Sequence, residues 1–199
     1  MKKIPTLFER AYENHKVVDC LPVLTKPEFA EVLANGVATI KYDGSCCAII
    51  DGELYKRYDC KKGKTPHTGA IPCCEPDPIT GHWPHWVKVS DDKPDDKWFI
   101  KAYEYTLSEN DNKPLLDGTY EAIGPHFQGN PYRLPFDRLI MHGKDEIYLT
   151  DKERSFEGLK RLLELLDIEG IVFWFNDEPV CKLKRSDFGM EWPRKMEES

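Results

Sequence analysis

The stretch VATIKYDGSCCAIIDGELYKRY, residues 37–58, decides the fold class of this chain. Its β-branched, aromatic and aliphatic residues fall into three short runs, which predict strands. These predicted strands span residues 37–41, 46–51 and 53–58. The dipeptide Asp51-Gly52 separates the last two runs and is typical of a tight turn between antiparallel strands. The stretch therefore predicts a sheet in which neighbouring strands run antiparallel.

Segments on either side extend this pattern with more strands than helices. Helices are predicted at residues 26–35 and 155–166, where Gly36 is expected to end the first in a left-handed conformation and Ser155 to cap the second. Further strands are predicted at 98–106, 118–123, 171–175 and 180–184. Residues 61–96 are rich in proline and predict a long irregular excursion. Because the strands mostly follow one another directly, the pattern indicates an α+β fold with a largely antiparallel sheet.

Composition narrows the class of protein. The 199 residues include 35 acidic and 28 basic side chains, so the net charge is −7, and 40% of the residues are hydrophobic. This composition excludes a largely disordered chain. No apolar run approaches the ~20 residues that a membrane-spanning helix needs, and residues 1–10 lack the apolar core of a secretory signal. We therefore expect a cytoplasmic protein in a reducing compartment, with no membrane partner.

The seven cysteines are an odd number, which argues against a disulfide framework in a chain of this kind. A zinc site would draw on Cys60, Cys73 and Cys74 with a nearby histidine, but the chain contains no Cys-x-x-Cys pair. We expect reduced thiols, and an activity that needs neither a disulfide nor zinc.

Five short segments with charged residues follow one another along the chain. The first is Lys41-Tyr42-Asp43-Gly44, which alone is typical of a turn closed by a surface lysine. The later segments are LYKRY with Arg57, YEAIGP with Glu121, IEGIVF with Glu169, and VCKLK with Lys182 and Lys184. An isolated Lys-x-Lys pair on a strand would be a solvated edge, so the order of the segments carries the argument.

This order resembles the covalent nucleotidyltransferase superfamily of ATP-dependent DNA ligases, RNA ligases and mRNA capping enzymes. Lys41 stands at the position of the nucleophilic lysine of motif I, and the later segments match motifs Ia, III, IV and V. The sequences YEAIGP, GNPY, LIMHG and KLKRSDFGMEWP look like those of the RNA ligase 1 type of 5′–3′ RNA ligase. The resemblance covers residues 37–189.

The resemblance implies an ATP-grasp-like nucleotidyltransferase core of largely antiparallel sheets with flanking helices. We expect residues 1–199 to form a single domain of this kind, with the excursion at 61–96. DNA ligases and capping enzymes carry an OB-fold domain after motif V, whereas only fifteen residues follow Lys184 here. We therefore expect no OB-fold domain and a minimal catalytic core.

The function implied by the resemblance is ATP-dependent ligation of RNA, as in RNA repair. ATP would adenylylate a lysine, the AMP would pass to an RNA 5′-phosphate, and an RNA 3′-hydroxyl would displace it. Two alternatives stay open: a small ATP-dependent DNA nick ligase, and a non-catalytic nucleotide- or RNA-binding module. An additional protein that supplies RNA affinity also stays open.

The resemblance assigns each charged residue a role. Lys41 is the nucleophile, and Lys182 with Lys184 would favour its neutral amine and stabilise charge on the α-phosphate. Their i, i+2 spacing puts both side chains on one face of a strand. The remaining assignments are a main-chain contact from Ile40 to adenine, a phosphate or RNA-end clamp by Arg57, a ribose contact by Glu121, and water-mediated Mg²⁺ or Mn²⁺ binding by Asp43, Glu121 and Glu169. The basic residues of 56–64 form the best local track for RNA phosphates.

Overall fold

The computed structural model describes residues 3–194, and within this range the chain forms two compact units. Residues 43–142 make up the central unit, and residues 4–42 with those from 143 onward make up the terminal unit. In chain order, the strands and α-helices are β1 (Phe8–Glu13), β2 (Lys16–Leu24), α1 (Phe29–Asn35), β3 (Val37–Lys41), β4 (Ser45–Ile50), β5 (Glu53–Cys60), β6 (Ile71–Pro72), β7 (Trp83–Lys88), α2 (Lys97–Glu109), β8 (Gly118–Ile123), β9 (Arg138–Met141), β10 (Glu146–Ile147), α3 (Phe156–Leu165), β11 (Gly170–Phe175) and β12 (Glu178–Lys184).

The terminal unit is built around a four-stranded antiparallel sheet in the order β10-β3-β11-β12. Strands β1 and β2 pair separately as an antiparallel ribbon. Apolar residues of α1 and α3, including Phe29 and Leu159, pack with Ile171 and Phe173 of β11 in one buried cluster. Helix α3 begins as predicted, because the Ser155 hydroxyl accepts a hydrogen bond from the Gly158 main-chain N–H at 3.1 Å.

The central unit contains a six-stranded antiparallel sheet in the order β6-β7-β5-β4-β8-β9. Asp51 and Gly52 have φ values of 51° and 75° at the turn from β4 to β5, so the predicted tight hairpin is confirmed. Helix α2 contributes Phe99 and Ala102 to the apolar cluster with Cys47 and other sheet residues. Since side chains alternate along a strand, the opposite face of the same sheet carries the polar residues of β8.

The ladders between these strands are all antiparallel, and the α+β class is confirmed for residues 3–194. The finer expectations, an ATP-grasp-like core in a single nucleotidyltransferase domain, stay predictions. None of the helices in this range has the length and apolar character that crossing a membrane requires.

Three local predictions were wrong. Residues 98–106 lie in helix α2 rather than in a strand, because Trp98, Phe99, Ala102 and Tyr103 form a helical stripe that packs on the central sheet. The proline-rich segment 61–96 contains the regular strand β7, which pairs with β5 along its whole length. Gly36 is extended, with φ −68° and ψ 155°, rather than left-handed. A Cβ there would lie 2.5 Å from the carbonyl oxygen of Val32. Glycine is therefore required because a side chain would clash with the main chain, and not because the backbone has a positive φ.

Candidate active site

Three lysines lie on one face of the terminal sheet. Lys41 ends β3 and Lys184 ends β12, and both are register partners of Gly170 on the strand that separates them. Directly opposite residues of antiparallel strands point to the same face. Lys182 joins this face because it lies two residues before Lys184 on the same strand. Lys182 and Lys184 therefore lie on one face, as predicted, and Lys41 lies on the same face.

The carboxylate of Glu169 holds this lysine face together. One oxygen, Oε2, forms a close ion pair with Lys41 Nζ, and the other, Oε1, lies 3.4 Å from Lys184 Nζ. Only 8% of Glu169 is exposed, so solvent competes weakly for its oxygens. Two charged side chains from different strands are thereby fixed to one buried anion.

Gly170 provides the space that this arrangement needs. A Cβ at Gly170 would lie 2.3 Å from the carbonyl oxygen of Leu183 on the neighbouring strand. Since main-chain atoms cannot move aside as flexible side chains do, a side chain here would force β11 and β12 apart. The glycine after Glu169 thus keeps the strands of Lys41 and Lys184 at their observed spacing.

Lys182 is the lysine of this cluster with a strongly shifted pKa. Burial, followed by repulsion from Lys41 and Lys184, lowers its pKa from 10.5 to about 8, although Glu169 acts in the opposite direction. Arg10 adds to the lowering. The Lys182 ammonium is therefore poorly solvated, and the positive charges near it outnumber the negative ones.

Sequence reasoning missed the ion pair between Arg10 and Asp187. Arg10 Nη2 lies 2.6 Å from Asp187 Oδ1, and the Lys184 main-chain N–H donates to Asp187 Oδ2 at 2.8 Å. This buried carboxylate therefore links β1 to the end of β12 and holds the backbone of Lys184. Arg10 precedes the first motif by about thirty residues, and no local pattern marks it.

The central unit contains a second carboxylate site, around Glu121 on β8. Its Oε1 accepts a hydrogen bond from the Gly44 main-chain N–H at 3.1 Å, and its Oε2 lies 3.0 Å from His142 Nε2. The other ring nitrogen of His142, Nδ1, lies 3.0 Å from Thr119 Oγ1. Sequence reasoning gave neither His142 nor Thr119 a role, although LIMHG was among the segments that carry the resemblance.

Gly44 is required for close approach to β8. A Cβ at Gly44 would lie 2.2 Å from the carbonyl oxygen of Ala122 and 3.0 Å from Glu121 Cγ. Its φ is not in the left-handed region, so its missing side chain serves packing rather than a turn. The preceding residue, Asp43, is held through its main-chain N–H, which donates to the Tyr132 hydroxyl at 2.6 Å.

Arg57 lies on the same face of the central sheet as Glu121. Cys46 is the register partner of Glu121, and burial together with Glu121 raises the Cys46 pKa to about 12 against the opposing effect of Arg57. Arg57 Nε donates to Asp59 Oδ1 at 2.9 Å. Its guanidinium is thus already paired, and binding a phosphate would involve this pair.

Some of the basic side chains in residues 56–64, the predicted track for RNA phosphates, form ion pairs, and others are exposed in a loop. Lys56 Nζ makes an ion pair with the buried carboxylate of Asp96, and Arg57 pairs with Asp59. Lys61, Lys62 and Lys64 are exposed and follow in the loop after β5. These three lysines, rather than the whole stretch, carry the accessible positive charge.

Ile40 lies within the terminal sheet, and its main-chain N–H donates to the Asp145 carbonyl at 2.9 Å. An adenine contact through that N–H would therefore have to break a sheet hydrogen bond. The side chain packs against the terminal apolar cluster. A contact with adenine, as predicted, would use another atom of Ile40.

The donor types of the predicted metal site suit Mg²⁺, which prefers oxygen ligands and keeps several of its waters. Among residues 3–194, no group of three or more histidine, cysteine or acidic side chains is arranged to enclose a metal ion. Glu169 is engaged by lysines and Glu121 by hydrogen bonds. Water-mediated binding of Mg²⁺ by Asp43, Glu121 and Glu169 therefore stays a prediction.

All seven cysteines are free thiols. Burial raises the pKa of Cys181 to about 12 and that of Cys20 to about 11, so these thiols stay protonated near neutral pH. Neither residue has the low-pKa environment of a reactive thiolate.

The predicted site residues thus fall into two groups. Lys41, Glu169 and Lys184 contact one another in the terminal unit, with Lys182 on the same face. Asp43, Arg57 and Glu121 belong to the central unit. Chemically, the first group concentrates positive charge around one carboxylate, and the second presents an oriented carboxylate.

Comparison with known proteins finds distant similarity over most of the chain. No protein-family model matches the chain. The chain is 26% identical to a Rattus norvegicus protein over 96% of its own length and 82% of the relative. A Mus musculus protein is 25% identical over similar shares, 96% and 81%. A Pongo abelii protein is 33% identical over 111 residues, which are 50% of this chain and 31% of that protein.

Each of these three proteins is named RNA ligase 1. The similarity to the two rodent proteins extends over most of the chain. It supports an RNA ligase-like family, in agreement with the resemblance drawn from the five segments.

Proposed function

We propose that this chain is an ATP-dependent RNA ligase that joins RNA 5′-phosphate and 3′-hydroxyl ends through a covalent adenylate on Lys41. The observation that carries the proposal is the cluster of three lysines around the single buried carboxylate of Glu169. The RNA ligase 1 relatives supply independent support for the reaction class.

The charge of this cluster favours an anionic substrate. Three ammonium groups share one carboxylate, so the face carries an excess of about two positive charges when all are ionised. Burial, followed by repulsion from Lys41 and Lys184, lowers the pKa of Lys182, so its ammonium form would be stabilised by a counter-ion. A triphosphate would supply the missing negative charge at a partly buried site, where electrostatic interactions are stronger than in bulk water.

In the proposed first step, the neutral Nζ of Lys41 attacks the α-phosphorus of ATP. A nitrogen–phosphorus bond forms, the bond to the pyrophosphate oxygen breaks, and the lysine gives up its protons to solvent or a nearby base. Glu169 pairs with Lys41 in the structure, so Lys41 leaves this ion pair before it attacks. Lys182 and Lys184 remain in place to stabilise negative charge on the phosphoryl oxygens.

The later steps transfer the AMP from Lys41 to the RNA and then join the RNA ends. The RNA 5′-phosphate attacks the lysyl-AMP, which releases Lys41 and forms an RNA-adenylate. The RNA 3′-hydroxyl then attacks the 5′-phosphate, a phosphodiester forms, and AMP leaves. A bound Mg²⁺ would neutralise phosphate charge, and Asp43, Glu121 and Glu169 are the residues that would hold it through water.

We propose that the central group contributes to the same reaction through the nucleotide sugar and the RNA end. Glu121 offers carboxylate oxygens to the ribose hydroxyls, and Arg57 binds a phosphate once its pair with Asp59 opens. Support for this assignment comes from the order of the five segments and from the relatives.

The decisive experiment measures the intact mass of the protein after incubation with each nucleoside triphosphate and Mg²⁺. We expect a gain of one AMP from ATP in the wild type and none in Lys41→Ala. Lys41→Arg is the matched control, because it keeps the positive charge next to Glu169 but lacks a nucleophilic amine. An adduct on either variant would overturn the assignment of Lys41.

A second measurement separates RNA ligation from the alternatives. The protein is given 5′-phosphorylated single-stranded RNA in one reaction and nicked duplex DNA in another, each with ATP. We expect sealed RNA. Sealing of the DNA nick alone would identify a DNA ligase, and an unmodified wild-type protein in both reactions would exclude the covalent mechanism and leave the binding module as the alternative.

A further inference from the structure

His142 occupies a defined position in a line of three polar side chains on the central sheet. Its Nε2 lies 3.0 Å from Glu121 Oε2, and its Nδ1 lies 3.0 Å from Thr119 Oγ1. The side chains of His142 and Glu121 are 17% and 13% exposed. Water therefore competes weakly for the contact between the two.

The chemistry of the groups fixes the direction of the hydrogen bond between His142 and Glu121. An ionised carboxylate accepts only, so Nε2 of His142 carries the hydrogen and donates to Glu121. In the neutral ring Nδ1 is then an acceptor, and the Thr119 hydroxyl donates to it. Nε2 therefore donates to Glu121 in either state of the ring, and with a neutral ring the line runs from the Thr119 hydroxyl through the imidazole to the carboxylate.

The two oxygens of Glu121 are therefore held from two directions. The Gly44 main-chain N–H donates to Oε1, and His142 donates to Oε2. Each carboxylate oxygen has a second lone pair, and these remaining lone pairs have fixed directions once both hydrogen bonds are made. Loss of the imidazole would leave the carboxylate held at one oxygen only.

We propose that His142 is a positioning residue that orients Glu121 toward the ribose hydroxyls of ATP. This inference rests on the proposed function, and it assigns His142 an effect through Glu121 without contact with the nucleotide. It predicts that the imidazole contributes to selection of a ribonucleotide over a deoxyribonucleotide.

The backbone around His142 does not depend on its ring. The His142 main-chain N–H donates to the Thr119 carbonyl at 3.0 Å, directly beyond the last pair of the β8–β9 ladder. The ring lies on the polar face of the sheet, away from the apolar cluster beneath α2. Replacement of the ring therefore leaves the strand pairing in place.

The test compares kcat/KM for adenylylation with ATP and with 2′-deoxyATP. In His142→Ala we expect kcat/KM for ATP to fall about tenfold to a hundredfold, as for loss of a hydrogen bond to a charged group. The value for 2′-deoxyATP should fall much less, so the preference for ATP shrinks. In His142→Gln, whose amide nitrogen reaches the place of Nε2, most of the preference should return.

Two further variants separate positioning from a structural role. The double variant Glu121→Ala, His142→Ala should keep the same preference for ATP over 2′-deoxyATP as Glu121→Ala alone. Both changes act on the single contact between Glu121 and the ribose, so their effects do not add. His82→Ala, at an exposed histidine of the same unit, should match the wild type. An equal loss for both nucleotides in His142→Ala, or an unchanged preference, would overturn the inference.

This failure differs from failure of the proposed function. If the wild type forms no adduct with any nucleotide, the proposed function is wrong. If the wild type is adenylylated and His142→Ala keeps the full preference for ATP, only the role of His142 is wrong. Thermal unfolding of each variant shows that it is folded before its kinetics are compared.

Discussion

The two units hold their carboxylates in different ways. Glu169 of the terminal unit is fixed by charge, through the ammonium groups of Lys41 and Lys184. Glu121 of the central unit is held by directional hydrogen bonds from a main-chain N–H and an imidazole. Charge interactions change slowly with distance, whereas hydrogen bonds weaken steeply when they are misaligned. The terminal cluster is therefore suited to collecting a charged group, and the central cluster to orienting one.

The largest effect among the variants that test this contrast is expected at Lys182 and Lys184. Lys182→Ala and Lys184→Ala should each lower the rate of adenylylation about 10²- to 10³-fold, because in the proposed mechanism each supplies a preorganised charge to the phosphoryl oxygens. Initial rates of adduct formation, followed by intact mass, measure this. Lys152→Ala, at an exposed lysine of the same unit, is the control. Wild-type rates in either variant would show that the lysine does not stabilise the phosphoryl charge.

The second effect concerns the glycines beside the two clusters. Gly170→Ala and Gly44→Ala should each lower the free energy of unfolding by about 1–3 kcal/mol, because the new Cβ overlaps a main-chain carbonyl on the neighbouring strand. Urea unfolding measures this loss. In Gly44→Ala the overlap also reaches Glu121 Cγ, so discrimination between ATP and 2′-deoxyATP should fall as well. Two variants as stable as the wild type would contradict the close approach.

A third effect separates nucleotide chemistry from RNA binding. Reversal of Lys61, Lys62 and Lys64 to glutamate should lower RNA joining by about tenfold and leave adenylylation nearly unchanged, because each lost phosphate contact weakens single-strand binding. A triple reversal at Lys88, Lys93 and Lys113, exposed in the same unit, controls for net charge. Of these, Lys88 and Lys113 form surface ion pairs with Glu53 and Asp111, so thermal unfolding checks that this variant is folded. If the control variant loses as much RNA-joining activity, Lys61, Lys62 and Lys64 do not form an RNA-binding site.

The smallest effect is the pH dependence that Lys182 contributes to stability. Its pKa is about 8 in the folded chain and 10.5 when unperturbed, so below pH 8 it is charged in both states and its burial destabilises the fold. Between pH 8 and 10.5 the folded state loses the proton first, and stability rises with pH relative to a chain without this group. The full shift corresponds to roughly 3 kcal/mol, and solvent at this half-buried side chain reduces the effect. Lys182→Met should therefore be more stable than the wild type by ~1 kcal/mol at pH 7, with the difference vanishing toward pH 10.5. Urea unfolding at both pH values measures it, and a difference that does not change with pH would contradict the shifted pKa.

Local patterns were sufficient where neighbouring residues decide the structure. The dipeptide Asp51-Gly52 predicted its hairpin, since both residues tolerate a positive φ that the turn demands. Ser155 predicted the start of α3 through a cap that involves only the next three residues. The i, i+2 spacing of Lys182 and Lys184 predicted their common face, because side-chain alternation is a property of any strand.

Local patterns failed where packing overrode propensity. Residues 98–106 are rich in aromatic residues, which favour strands in general, yet they form α2. The same aromatic residues fall on one helical stripe, and burial of that stripe against the central sheet decides the outcome. The ribbon of β1 and β2 was also missed, although its partner strands are close in sequence.

The sequence by itself determined which residue types are available for the chemistry and that the sheets are antiparallel, because strand propensity, tight turns and the order of charged segments are local properties. Only the tertiary structure decided which of these residues meet. Glu169 reaches Lys41 across 128 positions of the chain, Arg10 pairs with Asp187, and His142 donates to Glu121 from the neighbouring strand. Such contacts depend on strand register and on the close approach that Gly44 and Gly170 permit, and a linear pattern carries neither distance nor direction between residues far apart in sequence.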